Sequence, residues 1–350
     1  MKILYLVGNG FDINLNMATK YSQFYDYYSK LPSKNHIIAN LKENIAKEGF
    51  WSDLEIGLGK HTSNLKNQVE LDEVFDDIQS NLSEYIKNEE ANFLLREFEK
   101  DKFIKDLLSP ETHLLPKEKN TILNFKMPNS PNKSQANLSI DIISFNYTST
   151  IEKIINYTGK KIELSTNPSC VLRSIEHIHG FHNNRMVLGV NDNTQISNQE
   201  FKKNIEIAST LIKSNNNATY GQYHVDNCNL LIKNANIICI FGMSLGDSDN
   251  IWWELIGTRM TSMNCILLLF NIGDEFSPIQ GHLAERQKNK LRQKFFEKSK
   301  LSTTNITNIS KNIFVAVNTE MFKLKEKNNK QLDEFAIFET EPTYQKIKPA

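Results

Sequence analysis

Residues 1–24 read MKILYLVGNGFDINLNMATKYSQF, and the first ten positions decide the fold. Residues 3–7 (ILYLV) are apolar at every position, the pattern of a strand buried on both faces of a parallel sheet. The run stops at Gly8-Asn9-Gly10. A glycine pair after such a strand allows a tight turn and close approach of the backbone to a ligand. A helix starting there would add free N–H groups that attract an anion. The opening therefore reads as the first turn of a nucleotide-binding sheet, or as a tight strand-to-helix turn with no ligand. The third glycine of the dinucleotide fingerprint is absent.

Five further runs read as strands: 139–145 (SIDIISF), 174–178 (SIEHI), 236–242 (NIICIFG), 265–271 (CILLLFN) and 312–317 (NIFVAV). Each is a short apolar run bounded by turn residues. Between the first and second strands, Leu71, Val74, Phe75, Ile78, Leu82 and Tyr85 recur at helical spacing. The helical character continues to about residue 108, and MPNSPNKSQAN (127–137) reads as a linker. The expectation is an α/β protein with a Rossmann-like parallel sheet. Residues 1–12 and 138–320 form its core, 13–137 a helical insertion or lid, and 321–350 a polar C-terminal tail.

With 41 Lys plus Arg against 41 Asp plus Glu, no global field draws the 350-residue chain to nucleic acid or anionic membrane. One local exception is residues 285–300, where seven basic residues face two glutamates; Leu291 and Phe295 suggest a surface helix packed on one side. The four cysteines are scattered, which suits a reducing cytoplasm and argues against a zinc ribbon. The apolar stretch before Gly8 is too short for a signal peptide, and no run is long enough to span a membrane. A cytoplasmic protein is expected.

Three later stretches carry candidate chemistry. In SIDIISFNYTSTIEKI, Asn146, Tyr147 and Thr148 follow a strand at its carboxyl end, where ligands bind in open α/β sheets. Asn146 either holds a sugar hydroxyl or water or satisfies the turn backbone, and Thr148 or Ser149 would cap the next helix. EHIHGFHNNRMVLGVND places His177, His179 and His182 within six residues. No carboxylate or cysteine stands at zinc-ligand spacing beside them, so no metal is expected. His179, before Gly180, is a general-base candidate or a structural histidine. IICIFGMSLGDSDNIWWELI runs from a strand through Gly242, Ser244, Gly246, Asp247 and Asp249 into a helix. Ser and Gly there suit phosphate or ribose oxygens. Asp247 suits ribose hydroxyls, whereas Asp249 or Ser248 serves equally as the helix cap.

Together LVGNGFD with Thr19, Tyr21 and Phe24, WSDLE (51–55), SFNYTSTIE, HIHG with VLG, and FGMSLGDSDN resemble, in order, the bacteriophage abortive infection AbiH family. The same order is distantly similar to the sirtuin-like NAD-binding fold. That similarity implies ligand contacts at Gly8, Asn9, Gly10, Asp12, Gly242, Ser244 and Leu245, with Asn146 and His179 over the nicotinamide ribose. Phe11, Thr19, Tyr147, Asp247 and Asp249 complete the candidate NAD-binding set. Asn9 and Phe11 depart from the sirtuin first turn and would crowd it. The four-cysteine zinc module is missing, which sets protein deacetylation aside.

The implied activity is hydrolysis of the nicotinamide–ribose bond of NAD, with Asn146 orienting ribose or water and His179 accepting a proton. A phage-derived trigger or partner protein and a homo-oligomer are the expected controls. Two alternatives stand beside it: a non-catalytic nucleotide-binding sensor or scaffold, and a nucleic-acid-acting effector supported only by the basic segment.

Overall fold

The computed structural model describes residues 1–47, 53–94, 96–127, 137–166, 169–262 and 264–326. Among these residues seven strands form one sheet: β1 (Lys2–Val7), β2 (Leu138–Ser144), β3 (Ile162–Thr166), β4 (Ser169–His177), β5 (Ile237–Phe241), β6 (Ile266–Asn271) and β7 (Ile313–Val317). Their spatial order is β3-β4-β2-β1-β5-β6-β7. All neighbours are parallel except β3, which runs antiparallel to β4 at one edge. Leaving β3 aside, the strands lie third, second, first, fourth, fifth, sixth in chain order, which is the Rossmann arrangement. The direction of winding reverses between β1 and β5, so a crevice opens beyond their carboxyl ends.

The six expected strands all form. Strand β3 (IELST) was not expected; as a half-exposed edge strand it carries only two apolar residues, too few for a buried-run signal. It also lengthens β4, which starts at Ser169 rather than 174.

The helices are α1 (Gly10–Asn14), α2 (Tyr21–Tyr28), α3 (His36–Lys47), α4 (Leu54–His61), α5 (Gln68–Leu94), α6 (Lys100–Leu108) and α7 (Pro116–Lys126) before β2. After it come α8 (Thr150–Ile155), α9 (Gln199–Lys203), α10 (Ile205–Leu211), α11 (Lys213–Asn234), α12 (Asn250–Met260), α13 (Gly281–Ser299) and α14 (Thr303–Ile309).

Strand alternation sends side chains to two separate cores. Ile3, Tyr5 and Val7 pack with Phe103, Leu107, Ile122 and Ile151 from α6, α7 and α8. Leu4 and Leu6 pack on the other face with Ile232, Trp253, Ile256 and Phe295 from α11, α12 and α13. A third core lies off the sheet, where Phe24, Tyr28, Leu41, Leu54, Leu58, Val74 and Ile78 meet Leu188, Phe201 and Leu211. Of the segment 13–137, then, α2–α5 build a separate helical unit completed by residues 186–212, while α6 and α7 lie on the sheet. Helix α5 joins the two: its Leu71 and Ile78 are in the helical core, and its Phe93 is in the sheet core.

The stretch expected to begin a polar tail enters the sheet core. Met321 and Phe322 are fully buried, and the Phe322 ring meets Phe241, Phe103 and Phe11 at 4.9, 5.0 and 5.5 Å between centroids. Residues 327–350, and all of the 127–137 linker candidate but its end residues, lie outside the described residues.

The turns after β1 and β5 interlock through glycine. Gly8 N–H donates to Phe241 O and Gly10 N–H to Gly242 O, both at 2.9 Å. A Cβ on Gly242, whose φ is +67°, would stand 2.8 Å from Gly10 Cα. Gly242→Ala should therefore lose about 3 kcal/mol, the sum of left-handed strain and backbone collision. Gly159 has φ +80° but open space around it, so Gly159→Ala should lose only about 1 kcal/mol of strain. Urea denaturation checks the pair; equal losses would mean that the interlock contributes nothing.

Candidate functional site

A cavity of about 1150 Å³ occupies the crevice at the β1/β5 switch point. The expected Gly8, Asn9, Gly10, Gly242, Ser244, Leu245 and Asp249 all line it. A smaller cavity of about 90 Å³ adjoins it; Asn9, Tyr21 and Phe145 line both, and Asp12, Thr19, Asn146 and Tyr147 line the smaller one.

The turn at residues 8–10 is built first for the fold. Its glycine N–H groups bond to the β5 turn. Thr19 holds the Asn9 amide, donating Oγ1–H to Asn9 Oδ1 at 2.6 Å and accepting Nδ2–H on its carbonyl at 2.7 Å. Helix α1 is five residues long, so the anion site expected at its N-terminus lacks the helix that would supply it.

Helical rotation turns Phe11 inward, where it is fully buried against Phe103 and Phe322. It does not crowd the crevice, contrary to expectation. Asp12 is buried between strand ends, accepting from Thr148 Oγ1 and Thr150 Oγ1 at 2.7 Å each. Burial pushes its carboxyl up to about 6, against the opposing pull of the two hydroxyls.

Beyond β2, Asn146 is 6 % exposed and its carbonyl faces His177 Nδ1 at 3.1 Å. Neither side-chain atom of Asn146 makes a well-formed hydrogen bond, although the amide lies near enough to the Asp12 carboxylate to pull weakly against the rise of its pKa. A buried amide left in this state is unusual. The next residue, Tyr147, donates its hydroxyl to Val187 O at 3.0 Å.

The three histidines separate, and each meets a different carboxylate: His177 with Glu152 at 2.7 Å, His179 with Asp249 at 3.2 Å, His182 with Glu90 at 2.6 Å. Among the described residues no three His, Cys, Asp or Glu converge on a metal-sized site. His179 is buried and stacks edge-on to Phe145 at 5.4 Å. It does not line either cavity; Asp249 stands in front of it. Burial, and then the nearby Lys213 ammonium, lowers its proton affinity, so the ring is neutral at pH 7.

Asp249 is not the helix cap that its position suggested. It stands at the N-cap of α12 without a capping bond, because its carboxylate is engaged by His179 and by Lys213 Nζ at 3.0 Å. Nor does a Ser149 side chain cap α8; its hydroxyl donates to Glu90. Asp247, expected at ribose hydroxyls, is exposed, pairs with Lys298, and is not among the cavity-lining residues. The basic helix α13 in fact fixes this loop, since Lys294 Nζ also donates to Ser244 O at 2.6 Å.

Three site residues were not among those expected, although Asp53 and Glu55 stand in the WSDLE stretch. Glu55 at the start of α4 lines the cavity and meets Lys213 Nζ at 2.6 Å. Asp53 caps α4 through Oδ1 and also lines it. Lys213, at the start of α11, is buried between Glu55 and Asp249. Burial pushes the Glu55 carboxyl up, against the pull of Lys213. Burial works the same way on Asp249, but Lys213 and His179 outweigh it and hold it well below the usual carboxylate range. The wall of the crevice is thus an ionised Asp249, a proton-retaining Glu55 and one fully committed ammonium.

A doubly covered parallel sheet with a crevice at its switch point defines a Rossmann-type α/β fold. The family model for bacteriophage abortive infection AbiH matches residues 4–271, and the chain belongs to that family. Membership indicates a role in abortive infection by bacteriophage. No curated protein matches the chain. No described helix is long and apolar enough to cross a membrane.

Two measurements probe the buried charges. Asp12 holds its proton more tightly folded than unfolded, so its contribution favours the fold below about pH 4 and is lost as pH rises through about 6. The stability of wild type minus that of Asp12→Asn should therefore fall by up to about 3 kcal/mol from pH 4 to 7; a flat difference in chemical denaturation would refute the assignment. Lys213→Met leaves two carboxylates facing one another without a cation. It should cost about 3–5 kcal/mol at pH 8 and clearly less at pH 5, where the carboxylates take up protons.

Proposed function

We propose that the protein is an abortive-infection effector that binds NAD in the switch-point crevice and hydrolyses its nicotinamide–ribose bond. The observation that carries this reading is the buried Asn146 amide, without a well-formed hydrogen bond on either atom, beside a crevice walled by an ionised Asp249. Hydrolysis passes through an oxocarbenium-like state, with positive charge on the ribose. An anionic wall favours that state over the ground state.

In this reading Asn146 hydrogen-bonds a ribose hydroxyl or the attacking water. Water oxygen bonds to ribose C1′, the C1′–N bond breaks, and its electron pair leaves with nicotinamide as the neutral base. The proton released by water passes to solvent. His179, lying behind Asp249, acts as a positioning residue through their hydrogen bond. A sensor that binds NAD without turnover is the second reading, favoured by the same withdrawal of His179 from the cavity.

The test is incubation of the full chain with NAD, alone and with extract of phage-infected cells, measuring nicotinamide release. Release that falls at least about 100-fold in Asn146→Ala, the scale of one lost transition-state hydrogen bond, supports hydrolysis. Calorimetric binding with no release under either condition supports the sensor. Absence of both binding and release rejects both readings.

A further inference from the structure

We propose that the corner of the crevice between α2, the start of α4 and the 244–253 turn is a subsite for a flat cationic ring, and that it selects the pyridinium of an oxidised nicotinamide nucleotide over neutral bases. The choice of nucleotide rests on the function proposed above; the corner itself rests on its own walls.

Those walls are aromatic and acidic. Tyr21 and Tyr25 on α2 are stacked, with centroids 6.5 Å apart and planes at 25°. Phe145 and Trp253 are near-parallel across the corner from the β2 and α12 sides, at 6.4 Å and 16°. All four line the main cavity together with Asp53, Glu55 and Asp249. Ser248 ties the two acidic loops together, its Oγ donating to Asp53 Oδ2 at 3.4 Å. The ammonium within this group, Lys213, is spent on Glu55 and Asp249 at 2.6 and 3.0 Å.

With Glu55 retaining its proton, Asp53 and Asp249 against the one committed ammonium of Lys213 leave the corner with surplus negative charge. A phosphate is repelled there; a cation set over ring faces is attracted by both the quadrupoles and the acids. Of the other lysines lining the crevice, Lys20 is exposed beside Tyr21, and Lys323 is exposed and paired with Glu320 at 2.9 Å. An independent sign of a missing ligand adjoins the corner: Asn146, buried and without a well-formed side-chain hydrogen bond, lines the small cavity that Tyr21 and Phe145 also wall.

The test uses small probes that carry no pyrophosphate, so it does not depend on NAD turnover. Binding of 1-methylnicotinamide, a fixed cation, and of neutral nicotinamide is compared by calorimetry on the full chain. The cation should bind at least about tenfold tighter. Tyr25→Phe, which keeps the ring, should retain that ratio, and Tyr25→Leu should lower it severalfold; circular dichroism confirms that each variant is folded. NAD should likewise bind tighter than NADH. Equal affinities for the two small probes, or binding of neither, overturn the subsite whatever NAD does. A preserved preference for the cation together with no nicotinamide release rejects hydrolysis and leaves the subsite standing.

Discussion

The backbone of the first turn touches the backbone of the turn after β5, and the rest of the crevice is built around that contact. With Gly10 and Gly242 close enough that a single added Cβ would collide, the two chains leave adjacent strands at one point and then diverge. Residues 8–15 turn down onto the Phe103 and Phe322 side of the sheet, whereas 242–249 rise toward α12 on the other. The gap between diverging chains is where a Rossmann sheet offers space to a ligand. Here the glycines make that space indirectly. Their small size serves turn-on-turn packing, and the surfaces left for a ligand come from Asn9, Ser244, Leu245 and the acids beyond.

What closes the crevice on the other side is charge. Glu55 belongs to the helical unit, Asp249 to the sheet, and Lys213 stands at the junction of the two. A second polar fastening lies nearby, where Glu90 of α5 accepts from the Ser149 backbone at 2.5 Å and meets His182 at 2.6 Å. Parting the helical unit from the sheet breaks both sets, each made of groups that are expensive to bury without partners. The unit therefore forms one wall of the crevice in this structure. Lys213 is shared between a proton-retaining Glu55 and an ionised Asp249, and Asp53 beside them adds negative charge beyond what this ammonium balances.

The sheet was legible because its strands are buried on both sides and read as plain apolar runs; even the order of turns along the crevice followed from those runs. The edge strand β3 escaped because an exposed strand alternates and is short. Of the site, the residues found were those that sit directly after a strand, where the chain must present them: Asn146, Ser244, Asp249. Those misjudged or missed depend on partners distant in the chain. Phe11 and Asp247 follow the same turns, but helical phase sends one into the core, and Lys298 draws the other to the surface. His179 is displaced from the cavity by an acid seventy positions later in sequence. Lys213 follows an isoleucine at a helix start with no turn or motif to mark it, and its meaning exists only where two acids from different elements arrive beside it.

The Asn146 amide is the feature that a ligand-free account explains least. A fully satisfied turn needs its backbone, and that is already engaged: its N–H with Ser144 Oγ at 3.2 Å and its carbonyl beside His177. The side chain adds only a weak contact toward Asp12, and a buried donor or acceptor left without a well-formed bond costs on the order of 1–3 kcal/mol. An apolar residue of similar size would avoid the cost. The adjoining main cavity carries surplus carboxylate charge from Asp53 and Asp249, a second debt of the same kind. Both are settled by one occupant that brings hydrogen-bonding oxygens to Asn146 and positive charge to Asp249. A ribose bearing a cationic base does this, and most when the base is leaving and the charge moves onto the sugar.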